Sequence, residues 1–552
     1  MRMRRIAIPL AGSLCVLSSA ASGQVLRERL HGAPFAQLGG SVARVGDVDL
    51  DGVDDFAVGE PYFCLSSASY EGRVSVHSGA TGALIRAHVG NPHETLGASV
   101  RGAGDVDGDG AADLVVGAPS KSSSNWFEEG MAVVYSGATG GVLWSVSGGD
   151  DFQSLGGSVD SAGDLDGDGR SEVLVGSSAD YALVIDANGA VLHKLQGGLL
   201  FGYTVAGIDD VDSDLVPDFL ISESWHDVSR SKPRRGRVWV HSGATATPLY
   251  QVVGSANNDY LGRTLSRLGD VNGDAIPDFI VASYVASQGG PQSGLLQVVD
   301  GATGTTLHQL VGGAASAWLG LAVDDCADLD RDGVRDYVVG IPGVPGTGSN
   351  GRGQARVHSG ASGALLHDFV GTVAGGGDNV ALGMSAASGD WNGDGKPDFV
   401  LGDPLYHDTA LDVPVGAAEV WLGCPASWAN YGSGWPGTLG VPTLTAQSDP
   451  GIGTTCSLDL ANSLGAATPG LLVIGLASAS IPLRSGGTLL VAPANVLAVT
   501  VPAGGLVFTD SIPDDPLLCF LEVFVQGIEL DPGAVGKLSL TPGLELEIGF
   551  DF

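Results

Sequence analysis

Seven short stretches of this chain place acidic side chains at alternating positions, the arrangement that lets side-chain oxygens wrap a hard cation. The first three read DVDLDGVDD (Asp47, Asp49, Asp51, Val53, Asp55), DVDGDGAAD (Asp105, Asp107, Asp109, Ala111, Asp113) and DLDGDGRSE (Asp164, Asp166, Asp168, Arg170, Glu172). Two more are DVDSDLVPD (Asp210, Asp212, Asp214, Val216, Asp218) and DVNGDAIPD (Asp270, Asn272, Asp274, Ile276, Asp278). The last two are DLDRDGVRD (Asp328, Asp330, Asp332, Val334, Asp336) and DWNGDGKPD (Asp390, Asn392, Asp394, Lys396, Asp398). Calcium takes about six to eight oxygen ligands. Positions 1, 3 and 5 of each stretch offer side-chain oxygens, position 7 a backbone carbonyl and position 9 a further carboxylate. Glycine at position 6 permits a sharp turn with positive φ. Acids gathered this closely repel one another unless a cation is bound. The expectation is therefore up to seven Ca2+ ions. The loops at Asp210 and Asp270 are the weakest candidates, because Leu215 and Ala275 stand where glycine is favoured; left-handed backbone at such a residue costs roughly 1–2 kcal/mol.

An EF-hand begins in the same way but needs a glutamate at position 12 and flanking helices. Position 12 here is Val58, Val116, Val175, Ile221, Val281, Val339 or Leu401, each closing an apolar triplet such as Phe56-Ala57-Val58. Short apolar runs of this kind predict buried strands. The loops therefore connect strand to strand.

The loop starts are separated by 58, 59, 46, 60, 58 and 62 residues, the signature of a repeat architecture. A Leu-Gly or Phe-Gly pair precedes each loop, from Leu38-Gly39 to Leu382-Gly383. After the triplet come a G-x-P-like turn (Gly59-Glu60-Pro61), an alternating strand (Arg73–His77), an SGATG hairpin turn and a last strand from Leu84. Four strands per unit is the content of a propeller blade. These recurring elements resemble the FG-GAP repeat family, best known from the N-terminal propellers of integrin α subunits. The resemblance covers about residues 24–423 and implies a seven-bladed β-propeller with calcium loops joining the first two strands of each blade. Copies four and five depart at the turn, with Ser222-Glu223-Ser224 and Ala282-Ser283-Tyr284.

The seventh unit lacks its fourth strand, since Gly423-Cys424-Pro425 interrupts the pattern, while Val25 to Leu30 precedes the first unit as a spare strand. The N-terminal strand is thus expected to complete the last blade. Residues 424–552 lose the acidic loops and carry short strand-like runs, read as a small β-sandwich-like domain. There Trp428, Tyr431 and Trp435 either stack on sugar rings or pack over the domain junction.

Residues 1–23 have a basic start, an apolar run and a small-residue end, the form of a signal peptide. No later stretch approaches the roughly 20 apolar residues of a spanning helix, so the expectation is a secreted or cell-surface protein. Formal net charge is −36, which argues against nucleic-acid or anionic-membrane partners. Three of the cysteines, Cys424, Cys456 and Cys519, lie close enough in sequence to suggest one disulfide.

Catalytic signatures are absent from the sequence: no G-x-S-x-G, H-E-x-x-H or Walker-type loop occurs. The recurrent His-Ser-Gly at His77, His241 and His358 reads as turn chemistry. Connectors between second and third strands carry aromatic and basic residues, namely Trp126, Phe127, Trp225, His226, Arg234 and Arg235. Such residues are enriched at binding hot spots, so this face is the candidate ligand surface. The functional expectation is a binding or adhesion scaffold for an extracellular protein or glycan. The alternatives are a carbohydrate-active or other hydrolytic enzyme on a propeller scaffold, and a structural envelope protein.

Overall fold

The apolar triplets that follow the acidic loops explain the architecture. In a strand, successive side chains point to opposite faces, so a continuous apolar run needs cover on both sides. A computed structural model shows where that cover comes from. It describes residues 24–549 apart from 66–68, 123–126, 151, 230–232, 331, 344–352, 372–380, 409–410, 412, 424–425, 453, 485, 514–517 and 519–520. The signal-peptide reading of residues 1–23 lies outside the described residues. The chain divides into two compact units, one of them Gln24–Gly423 and the other containing Cys424–Phe552.

The first unit is a β-propeller of seven four-stranded antiparallel sheets. Blade 1 runs Ser41–Gly46, Asp55–Glu60, Arg73–His77 and Leu84–Val89 from the innermost strand outward. The next five blades repeat this order, with inner strands Ser99–Gly104, Ser158–Gly163, Phe201–Ile208, Thr264–Gly269 and Val323–Cys326. In blade 7 the inner strand Ser385–Gly389 is followed by Asp398–Asp403 and Ala417–Gly423, and Gln24–His31 pairs antiparallel with the last of these. Inner strands contact one another consecutively around the ring, and Ser385–Gly389 also contacts Ser41–Gly46.

Seven apolar clusters fill the seven inter-blade spaces. Phe56 and Val58 pack against blade 7 beside Val400 and Val420, whereas Ala57 between them faces blade 2 beside Val100. Blade 2 repeats the arrangement: Leu114 and Val116 face blade 1, and Val115 faces blade 3. Each large apolar side chain buried this way contributes about 1.5–3 kcal/mol.

The Leu-Gly pairs are the joints between blades. Leu96 forms a parallel bridge with Gly72 of the preceding blade, and Leu155, Leu261 and Leu319 do the same with Gly130, Gly236 and Gly294. Leu38 bridges to Gly416 of blade 7. Gly97 has φ +88°, and a Cβ there would lie 2.6 Å from the Arg73 carbonyl oxygen, so the approach requires glycine.

The second unit is also all-β. A sheet with strand order Ser427–Tyr431, Gly543–Ile548, Leu521–Leu530, Thr468–Gly475 and Asn495–Val501 also carries Leu538–Leu540. A three-stranded sheet comprises Leu444–Ala446, Thr455–Leu460 and Leu506–Ser511. Residues of both sheets, including Leu458, Leu460, Leu472, Val525 and Leu544, share one core, as in a β-sandwich. The three aromatics singled out from the sequence, Trp428, Tyr431 and Trp435, make contacts within this unit. Trp428 joins that core, Tyr431 donates to the Leu490 carbonyl at 2.7 Å, and Trp435 Nε1 donates to the Val535 carbonyl at 3.2 Å. Cys456 is an unpaired buried thiol, while Cys424 and Cys519 lie outside the described residues. No helix among the described residues is long and apolar enough to cross a membrane.

Candidate metal centres and recognition face

Every acidic loop joins the inner strand of a blade to the second strand, so all seven lie on one face of the ring. In the first four, carboxylate oxygens gather from positions 1, 3 and 9: Asp47, Asp49 and Asp55; Asp105, Asp107 and Asp113; Asp164, Asp166 and Glu172; Asp210, Asp212 and Asp218. In the sixth loop Asp328, Asp330 and Asp332 gather instead. Within each group one oxygen per residue lies within 4.8 Å of the others. A hard divalent cation suits an all-oxygen set of this kind. The fifth and seventh loops carry Asn272 and Asn392 at position 3, so the third oxygen there is a neutral amide.

The chain coils by folding its own N–H groups onto these acids. In the second loop, Gly108 and Gly110 N–H donate to Asp105 at 2.7 and 3.0 Å, and Ala111 N–H donates to Asp109 at 2.9 Å. The seventh loop repeats this, with Gly395 N–H on Asp390 and Lys396 N–H on Asp394 at 2.7 and 2.8 Å. Position-7 carbonyls (Val53, Ala111, Arg170, Val216, Ile276, Val334 and Lys396) follow directly on these turns.

Two features of the loops escaped the sequence reading. Left-handed backbone occurs at position 4 as well as position 6, including Leu50 (φ 60°) and Ser213 (φ 64°). Leu215 and Ala275 adopt φ 73° and 69°, so the two loops without glycine at position 6 keep the same turn. Leu215 is 92% exposed and gains no packing in return.

Position 9 also fastens the loop to the rest of the blade. Asp113 is fully buried; one oxygen accepts from Val106 N–H at 2.7 Å and the other from Gly137 N–H at 2.8 Å. Gly137 belongs to the SGATG hairpin, so the acid staples the loop to the third-to-fourth-strand turn. Asp55, Asp218, Asp278, Asp336 and Asp398 make the same link to Gly79, Gly243, Gly301, Gly360 and Gly423. The third blade has Ala187 in place of that glycine, and Glu172 Oε1 is buried without a partner. Burial, with neighbouring acids adding to it, pushes Asp113 up to about 6, Glu172 to about 7 and Asp398 to about 8.

On the opposite face the sequence-predicted residues separate. Trp126 lies outside the described residues. Phe127 is exposed and meets Phe152 edge-on at 5.5 Å. Trp225 and Arg234 come together: the guanidinium lies 5.2 Å over the indole and donates to Tyr260 Oη at 3.0 Å. His226 pairs with Glu223 at 3.2 Å, and Arg235 reaches the Gly254 carbonyl at 3.4 Å, so both serve the blade itself.

Beside them sits a cluster that sequence reasoning missed. Arg263 lies 5.0, 5.5 and 5.7 Å from the rings of Tyr203, Tyr260 and Tyr284, and donates to Tyr203 Oη and Tyr284 Oη at 3.3 and 3.2 Å. A signal was present. Blades 4 and 5, which build this cluster, both depart from the repeat at the G-x-P-like turn.

A ring of seven four-stranded blades, with an acidic strand-connecting loop on each, defines a β-propeller with candidate metal sites. The FG-GAP repeat model matches residues 96–135. Integrin alpha-3 of Cricetulus griseus is 27% identical over 204 residues, covering 34% of this chain and 19% of that protein. Integrin alpha-V of Gallus gallus is 29% identical over 216 residues (33% and 20%), and integrin alpha-7 of Homo sapiens 30% over 193 residues (33% and 16%). The chain therefore spans a fifth or less of the length of these curated relatives. A solved structure described as BBS1N in complex with ARL6DN, soaked with lead, superposes with TM-score 0.45 at 10% identity, covering 73% of this chain and 98% of that one. The chain thus contains an FG-GAP repeat match and is homologous over about a third of its length to integrin α chains, which carry an N-terminal β-propeller.

Proposed function

We propose that this protein is a secreted, calcium-stabilised binding scaffold that offers the blade 4–5 face to an extracellular protein or glycan. The observation that carries the reading is the gathering of carboxylate oxygens within 4.8 Å in five of the seven loops. Calcium is the cation of choice because carboxylates and backbone carbonyls are hard oxygen donors, which calcium accepts in variable number and geometry. Loops with three carboxylates hold it most tightly; those with Asn272 and Asn392 hold it less tightly. The leader-like residues 1–23 support export. Homology to integrin α chains supports recognition as the role of the opposite face, and the exposed Trp225–Arg234–Tyr260 group supplies the aromatic and guanidinium surface such recognition uses.

Calcium titration into the chelator-stripped chain, followed by calorimetry, tests the metal half: several sites are expected, and absence of saturable binding overturns it. Glycan and surface-protein arrays test the other half. A hit should weaken at least tenfold in Trp225→Ala, and retention of binding there removes this face from the reading.

A further inference from the structure

At the centre of the ring the inner strands of six blades enclose a cavity of about 90 Å³ whose wall carries three guanidiniums and three carboxylates. Half of this charge is already spent. Arg44 leans away to Asp54 at 3.5 Å, while Arg267, at 3.5 Å, and Arg335 both engage Asp325. Arg101, Asp160 and Asp324 remain, and none of the three forms an ion pair among the described residues.

Their hydrogen bonds leave most of their capacity unused. Among the described residues Arg101 donates only through Nη1, to the Val42 and Val100 carbonyls at 3.4 and 3.2 Å, although a guanidinium has five N–H donors. Asp160 accepts from Ser161 and Gly207 N–H at 3.0 and 3.2 Å, and Asp324 from Ser388 N–H at 2.9 Å. Ionised carboxylates offer about four acceptor sites each. Burial raises both acids above their ordinary range, with Asp325 adding to the effect at Asp324, and the nearby Arg101 and Arg267 guanidiniums offset it only in part.

Three kinds of occupant can be compared. A simple anion would suit Arg101 but face two carboxylates. A divalent ion needs converging oxygens, and these acids form no such group among the described residues. A molecule carrying both charges a few bonds apart satisfies both sides. We propose that the central cavity binds a small amino-carboxylate zwitterion, such as glycine or another compact amino acid. Its carboxylate would take the open fork of Arg101, for which planar two-point docking is the favoured geometry, and its ammonium would lie between Asp160 and Asp324. The cavity size restricts the side chain to little more than a methyl group. This site is separate from the acidic loops and stands or falls independently of their metal.

Glycine, alanine, acetate and methylammonium titrated into the calcium-loaded full chain, read by calorimetry and by line broadening of carbon-13 glycine, test the assignment. Glycine or alanine should bind saturably, with acetate and methylammonium each at least tenfold weaker. Arg101→Gln and Asp324→Asn should each lower glycine affinity at least tenfold. Arg101→Lys, which keeps the charge and loses the fork, guards against a folding defect and should also weaken binding while leaving the melting temperature near that of the parent. No saturable glycine or alanine binding at millimolar concentration overturns the proposal. So does acetate binding as tightly as glycine, or unchanged glycine binding in Arg101→Lys.

Discussion

The two units of this chain are both all-β, yet they handle buried acid in opposite ways. In the propeller, position-9 acids such as Asp113 are sealed at the base of loops that hold further carboxylates close by. In the second unit, buried Glu529 is held by the hydroxyls of Ser463 and Ser539, at 2.6 and 3.3 Å, and by Ser463 N–H at 2.9 Å. One unit concentrates negative charge that a cation would relieve; the other gathers three donors on Glu529 Oε2 and leaves Oε1 buried without a partner among the described residues. The difference teaches that one fold class can either crowd several carboxylates at a loop or isolate a single acid among hydroxyl and amide donors.

Chelation should separate the two most sharply. A site with free ion at about 100 times its dissociation constant adds roughly 2.7 kcal/mol, so several sites together rival the net stability of a domain. Scanning calorimetry with EDTA is expected to lower the propeller transition steeply and leave the other unit's transition in place. Equal movement of both would break the contrast.

The seam of blade 7 comes next. Arg29 on the N-terminal strand pairs with buried Glu419 at 2.5 Å and lies 5.0 Å over Tyr406. Removing one partner of a buried pair costs about 3–5 kcal/mol, so Arg29→Met should lower only the propeller transition by that order in chemical denaturation. Next to this seam, burial, with Glu419 adding to it, pushes Asp403 up to about 7. Between about 4 and 7 the folded state holds a proton that the unfolded state has released, so stability falls as pH rises through that window and levels off above it. The slope should reach at most about 1.4 kcal/mol per pH unit. Urea titrations at several pH values should show this component flattened in Asp403→Asn.

The double role of position 9 permits a finer test. Asp113→Ala orphans the buried Val106 and Gly137 N–H groups, at about 1–3 kcal/mol each, and should destabilise the propeller even in EDTA. Asp107→Ala should weaken metal binding but leave the EDTA-treated melting point unchanged; equal effects in EDTA would erase the distinction. The smallest expected effect is a gain. Leu215→Gly relieves left-handed backbone at an exposed residue and should stabilise by up to about 1 kcal/mol, read as a shift in denaturant midpoint.

Much of the propeller was legible in the sequence because its determinants are local and repeated. The acidic loop spells its own turn, and the apolar triplet Phe56-Ala57-Val58 announces cover on both faces. Strands of the second unit were harder to read: Ser427–Tyr431, Thr455–Leu460 and Leu506–Ser511 carry no repeat and no strong apolar run. Which acids gather was only partly readable. In the sixth loop the group uses Asp332 in place of Asp336, a choice made by side-chain placement and invisible to spacing.

By itself, then, the order of residues determined seven units, their turns and the chemistry of each acidic loop, since those depend on neighbours a few positions apart. Closing the circle decided what no local pattern holds. It drew Arg101, Asp160 and Asp324 to one central cavity, and it set Arg263 among Tyr203, Tyr260 and Tyr284. Such groupings join strands remote in sequence, and their charge balance exists only when the blades stand side by side.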